Sequence, residues 1–161
     1  MKNTGKTNVM RVLDSLGIEY TAHFYEEDAG LSGVEVARLR GEDIDQVFKT
    51  LVTQGKSGQY YVFVIPVKEE LDLKKAAKAS GEKAIVMIKQ KELLPLTGYI
   101  HGGCSPIGMK KPFPSFIDET AELFDTVCVS AGKVGAQVEL KPQDLIRAAS
   151  LTEADLVTDG A

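Results

Sequence analysis

The chain is short of the residues from which metal centres and disulfide scaffolds are built. It has two cysteines, Cys104 and Cys128, and two histidines, His23 and His101, in 161 residues. One disulfide is the most it could form, and neither cysteine belongs to a C-x-x-C pair. Neither histidine has a second histidine or cysteine at a recognised ligand spacing, so the local pattern implies no metal site and no cofactor. Long apolar runs are also missing: no stretch approaches the roughly 18 residues of a membrane helix. The N-terminus MKNTGKTNVMRVLDSLG turns amphipathic at once and lacks the apolar core of a secretory signal, which gives the expectation of a soluble, cytoplasmic protein. There is no excess of positive charge either. A formal charge of −4 and a pI near 5.3 argue against nucleic-acid binding through overall charge.

The chain holds 43% hydrophobic and 26% charged residues, ordinary values for a globular protein of single-domain length. It has no repeat, linker composition or low-complexity tract, so one domain spanning 1–161 is expected, with 157–161 as a fraying tail. Lys68, Lys74, Lys75, Lys78, Lys83, Lys89 and Lys91 crowd one region, but Glu69, Glu70, Asp72 and Glu82 are interspersed, as on a solvated face.

Apolar Val9, Val12, Leu13 and Leu16 recur at helical spacing behind Thr7, a capping residue, and predict a helix over 7–16. Gly5-Lys6-Thr7 ends like a phosphate-binding loop but lacks the preceding strand and glycine, so Thr7 is read as a cap. Alternation and β-formers predict strands at 19–25, 49–53, 59–67, 84–88, 115–118, 126–130 and 136–140, with a hairpin turn at Gly55–Gly58. Helices are expected at 33–39, 73–79 and from Pro142 to about Ala149, with turns at 43–48 and 91–94. Strands and helices mix without strict βαβ alternation, which predicts a mixed-sheet α/β domain.

Two places invite chemistry. Lys49 enters an apolar strand beside Phe48 and Leu51, where it must either snorkel to solvent or meet a phosphate, hydroxyl or carboxylate. The segment Gly98 to Pro112, GYIHGGCSPIGMKKP, allows two readings. Cys104 could be a nucleophile with His101 as base. Alternatively, Gly102 and Gly103 let a backbone approach a ligand and offer N–H donors, with Ser105 and Pro106 shaping the turn.

Five segments in register then point to a family: VFKTLV (47–52), VIPVKEELDLKKAAKASG (64–81), TGYIHGGCSPIGMKK (97–111), FIDET (116–120) and VSAGKVGAQVEL (129–140). Together they closely resemble the YbaK/EbsC-type Cys-tRNA(Pro) deacylases, in the superfamily of the prolyl-tRNA synthetase editing domain. The resemblance implies a single-domain α/β fold with a mixed, barrel-like sheet surrounded by helices. It implies a trans-editing enzyme that strips cysteine from mischarged Cys-tRNA(Pro), with the substrate's own thiol attacking the ester, and no metal. Lys49 would be the essential residue, and Gly102 and Gly103 the backbone facing the substrate carbonyl. Tyr20, Thr50, Ser105, Ser130 and Gln137 would bind substrate.

Gln137 stands where some relatives carry aspartate, Cys104 where relatives carry an apolar residue, and Leu31-Ser32-Gly33 lacks a phenylalanine found in some of them. An aminoacyl-tRNA is the implied partner, and prolyl-tRNA synthetase the implied source of tRNA selectivity. A binding module without turnover, recruiting aminoacyl-tRNA or a synthetase, and a Cys104/His101 hydrolase are the alternatives.

Overall fold

A computed structural model describes residues 5–25 and 43–159; the helix expected at 33–39 and the departure at Ser32 lie outside these residues. The first helix, α1 (Asn8–Ser15), starts at Thr7, whose Oγ1 accepts the Met10 N–H at 3.3 Å. That bond satisfies one of the orphan donors of the first turn and confirms the capping role over the phosphate-loop reading.

Eight strands follow among the described residues: β1 (Thr21–Phe24), β2 (Phe48–Gly55), β3 (Tyr60–Pro66), β4 (Ile85–Met87), β5 (Ser115–Asp118), β6 (Val127–Ser130), β7 (Ala136–Leu140) and β8 (Leu151–Ala154). The other α-helices among the described residues are α2 (Leu73–Ser80), α3 (Gln90–Thr97) and α4 (Pro142–Ala149). The strands form two sheets, β1-β7-β6 and β4-β2-β3-β5-β8. The first is antiparallel throughout; in the second β3, β5 and β8 run parallel while β2 is antiparallel to β3 and β4. The mixed α/β expectation holds, but among the described residues the strands do not close into one sheet. Among the described residues one isolated parallel bridge, Val47 to Cys128, joins the start of β2 to β6, and no strand pairing extends it.

Strand β3 shows why the core is double-sided. Val62 and Val64 enter the main core with Val9, Leu13, Val129, Val138 and Leu145, whereas Tyr61, Phe63 and Ile65 pack with Ala76, Ala77, Ile85 and Leu156. Successive side chains point to opposite faces, so a strand covered on both sides reads as an unbroken apolar run. The run YYVFVIP is such a strand.

Two expectations are corrected. A full helix, α3, replaces the turn at 91–94: Glu92 reaches back to accept the Lys89 N–H at 2.8 Å, and Gly98 closes the helix at φ +84°. Pro95 sits inside it. The sequence pattern marks no strand after α4, yet β8 is there; its four residues pair with distant β5, and Ser150 in the left-handed region (φ 53°) ends α4 just before it. Residues 157–159 make contacts with the segment around α2. Leu71 bridges Val157, Thr158 N–H donates to Glu70 O, and Lys75 Nζ reaches Val157 O and Asp159. Buried Asp118, in the FIDET segment, is a structural residue. Its Oδ1 accepts the Leu156 N–H at 2.9 Å and its Oδ2 caps Thr120.

Candidate active site

Lys49 lies on β2 opposite Ile65, and Thr50 opposite Val64. Alternation therefore sends Lys49 to the outer, second-cluster face and Thr50 to the main core. The two neighbours do not share one face of the strand. On the outer face the Val47–Cys128 bridge aligns β2 with β6, so Lys49 and Ser130, each two residues further on, stand on the same side of adjacent strands. Ser130 pairs with Gln137, and Gln137 with His23. Register thus gathers Lys49, Ser130, Gln137 and His23 on one face, where β2 and β6 part.

Burial holds the Lys49 ammonium below its ordinary value, and the charges of Glu70 and Glu69 partly oppose this. Its ammonium pairs with no carboxylate among the described residues. A half-buried cation without an ion pair is poised to meet an anionic or polar ligand group.

Thr50 and Gln137 share a second property. Thr50 Oγ1 and Gln137 Oε1 are the two buried side-chain polar atoms that lack a hydrogen-bond partner among the described residues. Buried polar atoms are nearly always satisfied, and each exception calls for a reason. One is a hydroxyl able to donate or accept; the other is an amide oxygen able to accept from an ammonium.

The glycine loop is built differently from its first reading. Gly102 adopts φ +86°, open to glycine at no steric cost. The Gly103 N–H donates to Ile100 O at 3.0 Å and is therefore spent within the turn. A Cβ on Gly103 would lie 2.9 Å from the Lys133 and Val134 backbone, so this glycine lets the loop lie against the β6–β7 turn. Gly103→Ala is expected to destabilise the protein by about 1 to 3 kcal/mol, as overpacking does, lowering Tm by several degrees in thermal unfolding.

Ser105 is fully buried and its Oγ accepts the Ile107 N–H at 3.3 Å, so it shapes the loop from within instead of facing a substrate. Ser130 Oγ accepts the Gly132 N–H at 3.1 Å and steadies the same β6–β7 turn. Tyr20 packs on the main core, its hydroxyl held above its ordinary value by burial and then by Asp14. Asp14 in turn binds Lys6 at 2.5 Å.

Cys104 is no activated nucleophile. Burial pushes its thiol up to about 12, Thr97 opposes this only in part, and His101 is exposed. A thiol needs a depressed pKa to act at neutral pH, so the Cys104/His101 reading fails on electrostatics. The thiol packs against the main core.

Sequence reasoning overlooks a polar cluster beside Gln137. His23 Nε2 and Glu139 Oε1 are 2.8 Å apart, and Thr126 Oγ1 donates to Glu139 Oε2 at 2.5 Å. These two contacts hold the Glu139 carboxyl below its ordinary value, Thr126 first. His23 and Glu139 are 116 residues apart, so no local spacing could reveal the pair; only strand register brings them together.

With this geometry in place, comparison decides the family. The aminoacyl-tRNA editing domain profile matches residues 28–148. The chain belongs to the aminoacyl-tRNA editing domain family. The matched region contains Lys49, Thr50, the glycine loop, Ser130 and Gln137.

An Enterococcus faecalis protein provisionally named Cys-tRNA(Pro)/Cys-tRNA(Cys) deacylase EbsC is 44% identical over 158 residues, covering 98% of this chain and 96% of that one. Among solved structures, one provisionally described as a trans-editing enzyme for prolyl-tRNA synthetase superposes with a TM-score of 0.78 at 26% identity, covering 96% of this chain and 99% of that one. The hypothetical protein APE2540, at 22% identity and a TM-score of 0.85, shares the fold over 94% of this editing domain and 100% of its own length. No helix among the described residues of the editing domain is long and apolar enough to cross a membrane.

Proposed function

We propose that this editing domain is a trans-acting deacylase that removes cysteine from mischarged Cys-tRNA(Pro), freeing the tRNA for correct charging. The observation that carries this reading is the half-buried Lys49, without an ion pair among the described residues, on one face with Ser130 and the orphan Gln137 Oε1. Gln137 Oε1 offers an acceptor for the α-ammonium, and Lys49 a cation for the ester or phosphate end. The substrate class is supported by the 44% identity to the E. faecalis protein over nearly the whole chain. Binding alone separates amino acids of similar size by only about 1 to 3 kcal/mol, which is the reason a second, hydrolytic sieve is useful.

The chemistry asks little of the enzyme. The cysteine sulfur attacks its own ester carbonyl carbon, the bond from that carbon to the ribose oxygen breaks, and the thiol proton passes to the leaving oxygen. The cyclic thioester so formed takes up water and opens to cysteine. The protein supplies orientation and charge stabilisation: Lys49 toward the terminal nucleotide and ester, and the Gly102 backbone toward the carbonyl oxygen. Gln137, neutral where an aspartate would be charged, accepts from the ammonium without an ion pair.

Selectivity for the tRNA body is assigned to a partner, prolyl-tRNA synthetase, because a chain of net charge −4 attracts RNA weakly. The compartment is that of translation, the cytoplasm. Gln137→Leu, which removes the acceptor, is expected to raise KM for Cys-tRNA(Pro) by about 10-fold, the order of one lost hydrogen bond to a charged group. An unchanged KM in steady-state deacylation would remove Gln137 from the site.

A further inference from the structure

We propose that His23, Cys128 and Glu139 form a binding site for one zinc-class divalent ion. Their ligand atoms lie within 4.8 Å of one another. Each comes from a different strand of the three-stranded sheet, His23 on β1, Glu139 on β7 and Cys128 on β6. Cys128 stands directly across from Glu139, and His23 lies diagonally, two positions along β1 from Thr21, the residue paired with Glu139. All three side chains therefore project from one face, held by two antiparallel ladders rather than by a loop.

The donor set also fits the ion. An imidazole nitrogen, a thiolate and a carboxylate are the ligand types that zinc accepts, and three protein ligands leave a fourth position open for water. One thiolate and one carboxylate neutralise a divalent cation, so occupancy brings no uncompensated charge to the sheet. On binding, the Cys128 thiol releases its proton to solvent as the sulfur–metal bond forms, and His23 exchanges its contact with Glu139 for the metal.

Supporting groups are in place as well. Thr126 Oγ1 donates to Glu139 Oε2 at 2.5 Å, leaving Oε1, which faces His23, to bind the ion. This is the outer hydrogen bond that ligating carboxylates usually carry. Cys128 itself is 5% exposed and packs with Val47, so its sulfur meets the ion from a dry side. The expectation of no metal rests on local spacing, whereas these ligands are collected by sheet register.

The full chain, purified without metal, is titrated with Co2+ and then Zn2+. We expect one equivalent of Co2+ to produce a near-ultraviolet thiolate-to-cobalt absorption that one equivalent of Zn2+ bleaches. The band persists in Cys104→Ser and vanishes in Cys128→Ser. Thr126→Val weakens cobalt binding by about 10- to 100-fold. Because Cys128 is buried and its variant could misfold, His23→Ala, at a partly exposed position, gives an independent check: Zn2+ raises Tm for the parent chain and not for this variant. A parent chain that gives no thiolate band, or a band and a zinc-dependent Tm that survive His23→Ala, overturns the proposal. Neither readout depends on deacylase activity.

Discussion

Replacing Lys49 by alanine is expected to lower deacylation of Cys-tRNA(Pro) by about 100-fold or more, at a Tm within a few degrees of the parent chain. The two halves of this expectation have one cause. Lys49 is half-buried, its ammonium held below the ordinary value by burial, and it makes no ion pair among the described residues. A cation in that position costs the fold desolvation energy and gains little from its neighbours, so its removal does not strip a supporting contact. On the proposed role its worth would lie in the substrate complex, where a preorganised positive group beside a developing oxyanion or a phosphate would account for about 10² to 10³ in rate. Lys49→Arg tests geometry against charge, since a guanidinium keeps the charge but not the compact point donor. Single-turnover rates and thermal melts of the two variants check both halves. A Lys49→Ala enzyme of full activity would end the assignment.

Replacing the substrate's sulfur by oxygen is expected to have an even larger effect. On the thiol mechanism Ser-tRNA(Pro) should be released at least about 10³-fold more slowly than Cys-tRNA(Pro), and Ala-tRNA(Pro) no faster than Ser-tRNA(Pro). A positioned intramolecular nucleophile can match an effective concentration of about 10⁵ M or more. A cysteine thiol is also partly ionised near neutral pH, whereas a serine hydroxyl is not. Cys104 does not replace it: burial pushes its thiol up to about 12, and it packs against the core. Equal rates for the three esters would require an activated water instead. They would leave the site residues in place but end the substrate-assisted mechanism.

Much of this architecture is legible because its signals are local. The double-sided burial of β3 is written in YYVFVIP, Thr7 caps α1 through its own hydroxyl, and Pro142 opens α4 at the first turn. What cannot be read depends on partners far along the chain. Strand β8 exists because β5 lies beside it, and the capping of α3 uses Lys89 where the usual signature has serine or threonine.

The site divides in the same way. The resemblance picks out Lys49, Thr50, Ser130 and Gln137, but only the register shows that Lys49, Ser130 and Gln137 share a face while Thr50 turns inward. The loop pattern points to the N–H of Gly103, and the structure instead uses its missing side chain, because Lys133 and Val134 lie where a Cβ would be. The cluster of His23, Cys128 and Glu139 has no trace in the sequence at all, since three strands each contribute one member.

The most direct measurement is the decay of isolated Cys-tRNA(Pro) and Pro-tRNA(Pro), each mixed with excess purified protein and followed in parallel with protein-free controls. Cysteine is expected to be released many-fold faster than in buffer, while the prolyl ester is spared. Decay of Cys-tRNA(Pro) at the protein-free rate, or equal loss of both esters, would contradict a cysteine-selective deacylase.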